Sequence, residues 1–260
     1  MKIIFIGSGN VATHMASALK DCGHDIIQIY SRTLANAQIL ADKLHCNAID
    51  DLALLSNDAD AYIISTKDDA ISGIAETICP GRSNAVFLHT AGSVPMQIFE
   101  GHATHYGVLY PMQTFSKGRK VDFRKIPCFI EAQDKTAMSV VSSLANSISL
   151  HVQPVDSDKR RYLHLAAVFA CNLTNHCYRL AEKTLQEQGL DFSLYAPLIE
   201  ETASKVATMS PRDAQTGPMV RYDTEVMERQ KSLIRDERTR QIYQIMADSI
   251  HEDACQSPRN

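Results

Sequence analysis

Residues 7–12 read Gly-Ser-Gly-Asn-Val-Ala and directly follow an apolar run, residues 2–6. In such a sequence the first glycine permits a tight turn, and the second lets the backbone approach a pyrophosphate. The small sixth residue keeps the next helix close to the sheet. The motif lies between a strand pattern and a helix pattern. It therefore predicts a dinucleotide-binding loop of Gly7, Ser8, Gly9, Asn10 and Val11 rather than a purely structural glycine turn.

The first half of the chain alternates short apolar runs with helical patterns, which is typical of a parallel sheet wrapped by helices. Strands are predicted at residues 2–6, 26–30, 61–65, 85–89, 105–110, 128–131 and 151–155. Helices are predicted between them at 10–21, 34–44, 68–78 and 135–147. After about residue 156 only helical periodicity remains, at 159–188, 192–209, 224–233 and 237–253. We therefore expect an α/β fold: a Rossmann domain with a mostly parallel sheet over 1–154, then an all-helical domain over 155–260.

The end of the second strand decides which dinucleotide is favoured. An NAD site places an acid there to accept the ribose hydroxyls, whereas this chain has Tyr30-Ser31-Arg32-Thr33. Arg32 can pair with a 2′-phosphate, and the Ser31 and Thr33 hydroxyls can donate further hydrogen bonds. The alternative is a solvated arginine, with Thr33 capping the next helix. The missing acid favours NADP over NAD.

Polar side chains also follow the later strands. Ligands of an open α/β sheet lie outside the carboxyl ends of its strands, and residues after three strands fall there. Thr66 and Lys67 follow the third strand, and Thr90 follows the fourth. We expect these three to contact the cofactor, and we expect Ser93 and Gln113, from the loops after the fourth and fifth strands, to face the substrate.

Two histidines are candidates for general acid–base catalysis. His89 ends the fourth strand, where the nicotinamide is expected, although a structural hydrogen bond to a loop carbonyl would explain it equally well. His164 lies in a predicted helix where, at 3.6 residues per turn, it shares a face with Cys171 and Asn175, and Asn172 lies at the edge. This face is either a substrate-facing wall or a buried hydrogen-bond network. We predict His89, His164 and Asn172 as catalytic residues.

Arg221 lies in a Gly-Pro loop between two predicted helices. It can bind a substrate carboxylate or form an ion pair with Asp223, and such loop pairs are usually structural. We assign it to substrate binding with that alternative open.

Composition excludes several classes of protein. The net charge is -4 without a long basic run, which argues against a nucleic-acid partner, and no apolar stretch is long enough to span a membrane. Seven cysteines without a Cys-x-x-Cys pair indicate a reducing compartment, so we expect a cytoplasmic protein. His102 and His105 have no third ligand nearby in the sequence, and no metal site is predicted.

Taken together, these segments resemble a family of Rossmann-like proteins whose second half is a helical domain of unassigned function, DUF2520. Members of the family are often described as NADP or coenzyme F420-dependent oxidoreductase-like. The segments that carry the resemblance are residues 7–12, Ser31-Arg32, 89–93, 109–115, 162–172 and 216–218. The resemblance implies the fold and a nicotinamide cofactor, with F420 a weaker alternative. It leaves the substrate open.

The layout is more distantly similar to 6-phosphogluconate, β-hydroxyacid and ketopantoate dehydrogenases and to pyrroline-5-carboxylate reductase. The hydroxyacid enzymes use a helix lysine four residues before an asparagine. If Asn172 is that asparagine, Val168 stands at the lysine position, so the lysine mechanism does not carry over. Two hypotheses follow: an NADP(H)-dependent oxidoreductase of a small polar metabolite, or a non-catalytic dinucleotide-binding or redox-sensing module. The family layout also implies a homodimer formed through the helical domain.

Overall fold

A computed structural model describes residues 1–256 and contains one eight-stranded sheet. The strands lie in the order β3-β2-β1-β4-β5-β6-β7-β8. They are β1 (Lys2–Ile6), β2 (Asp25–Tyr30), β3 (Asn47–Ile49), β4 (Ala61–Ile64), β5 (Val86–His89), β6 (His105–Pro111), β7 (Cys128–Ala132) and β8 (Val152–Pro154). All neighbouring pairs are parallel except β6 and β7. The predicted α/β class and mostly parallel sheet are confirmed.

Helices cover both faces of this sheet. They are α1 (Asn10–Asp21), α2 (Leu34–Leu44), α3 (Ile71–Ile78) and α4 (Lys135–Ile148). One apolar core contains buried residues of α1, α2 and α4, and a second contains those of α3. The central strand β4 is wholly buried, because helices cover it on both sides.

The sequence prediction missed β3, which pairs with the end of β2 at the edge of the sheet. The strand has only three residues, and one of them is the polar Asn47, so it lacks a recognisable alternation. The other seven strands were predicted to within a residue or two at each end.

The chain after β8 is helical. It contains α5 (Ser157–Ala167), a π-helical segment (Val168–Leu173), α6 (Thr174–Gln186), α7 (Ala196–Thr208), α8 (Pro211–Ala214), α9 (Thr224–Ser232) and α10 (Glu237–Cys255). The π segment corrects the predicted face of His164, Cys171 and Asn175. That face assumed 3.6 residues per turn throughout, and a wider turn changes the angular position of every residue after it.

By packing, the chain divides into two compact units, Met1–Cys171 and Asn172–Asn260. The first unit includes α5, whose buried Arg160 forms an ion pair with Glu131 on β7. The functional domain boundary at 154 and 155 stays a prediction. In the described part of the second unit the buried apolar residues are Met227 and Ala247, and many leucines are exposed. None of the helices within residues 1–256 has the length and apolar character needed to cross a bilayer.

Candidate dinucleotide and substrate site

Gly7 occupies a position that only glycine fits. Its φ of 123° lies in the left-handed region, and a Cβ there would lie 2.1 Å from the Ser65 carbonyl oxygen. Its backbone N–H donates to the Tyr30 carbonyl at 2.8 Å. Gly7 therefore packs the turn against the ends of β2 and β4, as the motif predicted.

Gly9 has a different reason to be glycine. A Cβ built on it would meet no atom within 4 Å, so the space beside it is open. Gly9 precedes α1 without a side-chain cap, and the first turn of that helix carries no acid. The helix dipole and the free N-terminal amides are therefore available to an anion. This end of the site fits a pyrophosphate, which a dinucleotide carries.

Asn10 fastens the loop that follows β6. Its Nδ2 donates to the Phe115 carbonyl at 2.8 Å, and one turn further along α1 His14 Nε2 lies 3.0 Å from the Ser116 carbonyl. The His14 ring also stacks on the Phe115 ring. These contacts bring Lys117 to the edge of the site. The sequence reading missed Lys117, since no local motif marks that loop.

A groove of about 980 Å³ runs along the carboxyl ends of the strands, entirely within the first unit. The predicted site residues that line it are Gly7, Ser8, Gly9, Asn10, Val11, Ser31, Arg32, Thr66, Lys67, Thr90, Gln113 and His164. Three predicted side chains of the same unit are not part of its lining: Thr33, His89 and Ser93. The groove therefore joins the glycine loop to residues of β5, β6 and α5.

Basic and polar side chains face the groove at the end of β2. Arg32 is exposed there beside Ser31 and Asn36. Thr33 stands at the N-cap position of α2, but its side chain makes no capping hydrogen bond. Arg32 is thus free to meet a ligand phosphate, and Asn36 is an additional polar neighbour that the sequence reading did not name.

His89 is completely buried rather than open to the groove. Its Nδ1 accepts a hydrogen bond from the Ala91 amide at 3.2 Å, and its ring stacks on Phe99. Burial, assisted by the positive charge of Arg160, lowers the pKa of His89 to about 3. The ring is therefore neutral at physiological pH. The alternative considered for His89 was a structural hydrogen bond to a loop carbonyl, whereas the bond observed here comes from the loop amide of Ala91.

His164, on α5, lines the groove where the groove passes the ends of β5 and β6, away from the glycine loop that follows β1. Its Nδ1 is 3.1 Å from the Tyr110 hydroxyl, and the two rings meet edge to face. Burial raises the pKa of Tyr110, so its hydroxyl stays protonated at neutral pH. The ring rests directly on Gly92, where a Cβ would lie 2.6 Å from Nδ1. His164 can occupy this place only because residue 92 has no side chain.

The remaining predicted residues have identifiable surroundings. The Ser93 hydroxyl donates to the Asp68 carboxylate, so it links the loops after β4 and β5. The Thr90 hydroxyl donates to Ser65 Oγ at 3.2 Å. Gln113 is exposed in the groove, and its Oε1 accepts from the amide of the following residue.

Asn172 and Arg221 belong to the second unit, and both are exposed. Asp223, the alternative partner of Arg221, instead caps α9 by accepting from the Val226 amide at 3.2 Å. Among the described residues no group of three or more His, Cys, Asp or Glu side chains is arranged to hold a metal ion. His105 contacts Asp134, the N-cap of α4, at 2.7 Å.

The strand order and the glycine loop define a Rossmann-like dinucleotide-binding fold. The family "NADP oxidoreductase coenzyme F420-dependent" matches residues 2–88, and the domain of unknown function DUF2520 matches residues 126–250. A provisionally named NADP oxidoreductase from Bacteroides fragilis is 45% identical, covering 96% of this chain and 98% of its own, with a TM-score of 0.93. The chain belongs to this family of NADP oxidoreductase-like proteins with a DUF2520 domain.

Two further solved structures share the fold at lower identity. Protein TM1727 from Thermotoga maritima is 22% identical with a TM-score of 0.71, and 97% of this chain and 98% of that chain are covered. A pyrroline-5-carboxylate reductase from Coxiella burnetii is 18% identical with a TM-score of 0.60, over 97% and 96% of the two chains. No functionally curated protein matches the chain in sequence.

Proposed function

We propose that the protein is an NADP(H)-dependent oxidoreductase of a small polar metabolite that carries a carbonyl, hydroxyl or imine group. The observation that carries this proposal is the single groove that joins the glycine loop, Arg32 and His164. One groove therefore offers a phosphate-binding loop, a side chain that can distinguish NADP from NAD, and a group that can transfer a proton to or from the substrate.

The residues present fit NADP. The α1 N-terminus and the open space at Gly9 receive the pyrophosphate, and the Arg32 guanidinium with the Ser31 hydroxyl receives the 2′-phosphate. Thr66, Lys67 and Thr90 extend this surface along the ends of β4 and β5. Lys117 adds a cation from the loop held by Asn10. The end of β2 has no acid to accept the ribose hydroxyls of NAD, so NADP is the favoured cofactor.

The nicotinamide, when bound, supplies or accepts the hydride. The protein must then provide or remove a proton, and His164 is the histidine that faces the groove. The protonated Tyr110 hydroxyl at its Nδ1 fixes the ring orientation. His89 does not serve this role in our proposal, because a buried neutral ring has no access to a substrate.

Gln113 is placed to orient a polar substrate, since its side chain lines the groove near Tyr110. Ser93 acts through its hydrogen bond to Asp68, which itself lines the groove. The roles predicted for Asn172 and Arg221 remain predictions.

The test is a titration of the purified protein with NADPH and with NADH, followed by calorimetry. We expect tighter binding of NADPH, and a loss of about tenfold in its affinity in Arg32→Ala, since a charge-assisted hydrogen bond contributes about 1.5 kcal/mol or more. Arg124→Ala is the matched control, because Arg124 is exposed and does not line the groove. Failure to bind either nucleotide would contradict the proposal.

Substrates are then screened in both directions with the bound nucleotide, including the cyclic imine class to which the Coxiella relative's name refers. Turnover that disappears in His164→Gln, with NADPH affinity retained, would support the assigned proton donor. Tight NADPH binding without turnover, and without F420 reduction, would favour the non-catalytic dinucleotide-binding module instead.

We further propose that the protein is a cytoplasmic homodimer. All seven cysteines are free thiols, which suits a reducing compartment. Helices of the second unit expose large apolar side chains such as Leu194, Leu198 and Ile245, a surface that a second copy would cover. Sedimentation as a monomer at micromolar concentration would contradict dimerisation.

A further inference from the structure

A buried ion pair joins α5 to the sheet. Arg160 is 1% exposed, and its Nη1 donates to the Glu131 carboxylate on β7. The same carboxylate accepts from the backbone amide of Ser157 at 2.9 Å and from the Ser157 hydroxyl at 2.7 Å. The buried pair makes several hydrogen bonds at once, although Arg160 Nε has no partner among the described residues. These bonds fix the position of this end of α5 against the sheet.

The second guanidinium nitrogen reaches a different segment. Arg160 Nη2 donates to the Val94 carbonyl at 2.5 Å and to the Ser157 hydroxyl at 3.1 Å. Val94 lies in the loop after β5, and the Ser157 hydroxyl also accepts from the Met96 amide at 3.0 Å. One guanidinium thereby joins β7, the helix and the loop after β5, and only a planar fork with donors on two sides can do so.

Both segments held by Arg160 lead to His164. On α5, His164 follows Arg160 by four residues, about one helical turn, and so lies on the same side of the helix. In the loop, Gly92 precedes Val94 by two residues and forms the surface on which the His164 ring rests. The ring therefore lies between two segments whose separation is set by one side chain.

We propose that Arg160 and Glu131 are positioning residues that hold the His164 ring between Gly92 and the Tyr110 hydroxyl. The proposal rests on the proposed function only for the use of His164. The ion pair sets the distance between α5 and the loop after β5. That distance determines the orientation of the His164 ring, and hence which ring nitrogen contacts the Tyr110 hydroxyl.

The main test compares the wild type with the double variant Arg160→Met/Glu131→Leu. Replacing both charges with apolar side chains of similar length leaves no unpaired buried charge, so the variant is designed to fold. The readout is the ring nitrogen chemical shifts of His164 in alkaline buffer, assigned with His164→Gln. The wild type should show one fixed tautomer, and the double variant should show shifts averaged between the two tautomers.

Arg160→Lys is a second variant, which keeps the positive charge at this position. Lysine keeps the positive charge opposite Glu131, but it loses the forked second nitrogen that reaches Val94. We expect a partial change in the His164 shifts. Gly92→Ala displaces the ring directly and gives the full change as a positive control. Arg161→Met is the matched negative control, because Arg161 lies on the same helix in an exposed pair with Asp158.

Wild-type His164 shifts in the folded double variant and in folded Arg160→Lys would overturn the positioning role, as would tautomer averaging in the wild type itself. A lower melting temperature alone, with unchanged shifts, would show a purely structural ion pair. NADPH affinity is also measured for the Arg160/Glu131 double variant and for Arg161→Met, whose substituted residues do not line the groove, and it should not change. If the wild type binds no nucleotide while the shifts respond as expected, the proposed function fails and the positioning role stands.

Discussion

The two ends of the groove are built in different ways. At the glycine end, consecutive residues of one loop place backbone amides beside open space, and the conformation of Gly7 and Gly9 shapes that loop. At the histidine end, His164, Gly92 and Tyr110 come from three separate segments, and a buried ion pair holds two of them together. The first end depends on backbone conformation, whereas the second depends on tertiary packing. The two should therefore respond differently to mutation.

The largest effect is expected for Gly7→Ala. The left-handed φ and the clash with the Ser65 carbonyl together should lower the free energy of unfolding by roughly 3 kcal/mol, with loss of NADPH binding. Chemical denaturation of the wild type and the variant measures the change. An unaltered midpoint would show that the loop can rearrange, and the contrast between the two ends would disappear.

Gly9→Ala provides the matched control in the same loop. Its φ of -72° suits any residue, and its Cβ would enter open space, so stability should remain near the wild-type value. NADPH affinity should still fall, because the methyl group would enter the volume proposed for the pyrophosphate. Unchanged affinity would place the pyrophosphate elsewhere.

An intermediate effect on the free energy of unfolding is expected when the pH is lowered. It arises from His89 at the end of β5, next to the histidine end of the groove. His89 has a folded-state pKa of about 3 against an ordinary value of 6.5, so below pH 6.5 the unfolded chain takes up a proton that the folded chain does not. The contribution of the neutral His89 ring to the free energy of unfolding is fully present above pH 6.5 and is lost as the pH falls toward 3. At pH 5 the loss is about 2 kcal/mol.

Urea denaturation at pH 7 and pH 5 measures this loss. The His89→Asn variant separates His89 from other groups, since its side-chain oxygen can still accept from the Ala91 amide but does not titrate. We expect the difference between the two pH values to shrink by about 2 kcal/mol in the variant. An equal difference in both proteins would mean that His89 is not buried as a neutral ring.

The smallest effect is expected for Asn10→Ala, which loosens the loop between the two ends. Removing its hydrogen bond to the Phe115 carbonyl should weaken NADPH binding by about 1 kcal/mol, because the loop that carries Lys117 is then held less firmly. Asn146→Ala loses a bond of the same kind and length within α4, away from the groove, and should bind NADPH normally. Equal affinities in the two variants would show that the loop contributes nothing to binding.

The strand, turn and helix of the glycine end can be predicted from the sequence because their determinants are local. The motif, the strand before it and the helix after it lie within residues 2–21, and Arg32 follows at the end of the next strand. The periodicity of buried strands and amphipathic helices likewise gives the sheet and its class. The edge strand β3 is not recognisable from the sequence, because its three residues include the polar Asn47 and show no alternation.

The histidine end could not be predicted because it depends on contacts between distant segments. Nothing local shows that Gly92 leaves room for His164, or that Arg160 is buried rather than solvated. His89 was placed correctly at the end of β5, but its burial depends on Phe99 and on packing that no strand pattern reports. The π-helical segment similarly changes a helix face in a way that a uniform period cannot anticipate.

The sheet ends on both sides in strands of three residues, β3 and β8, and β8 closes with Pro154. A short edge offers few free backbone groups, and proline removes one donor from the ladder. A strand of a neighbouring molecule can therefore form few hydrogen bonds with either edge of the sheet. Fibre-like growth by addition of strands at these edges is disfavoured. The inner strands have no free edge of their own, because each is paired on both sides.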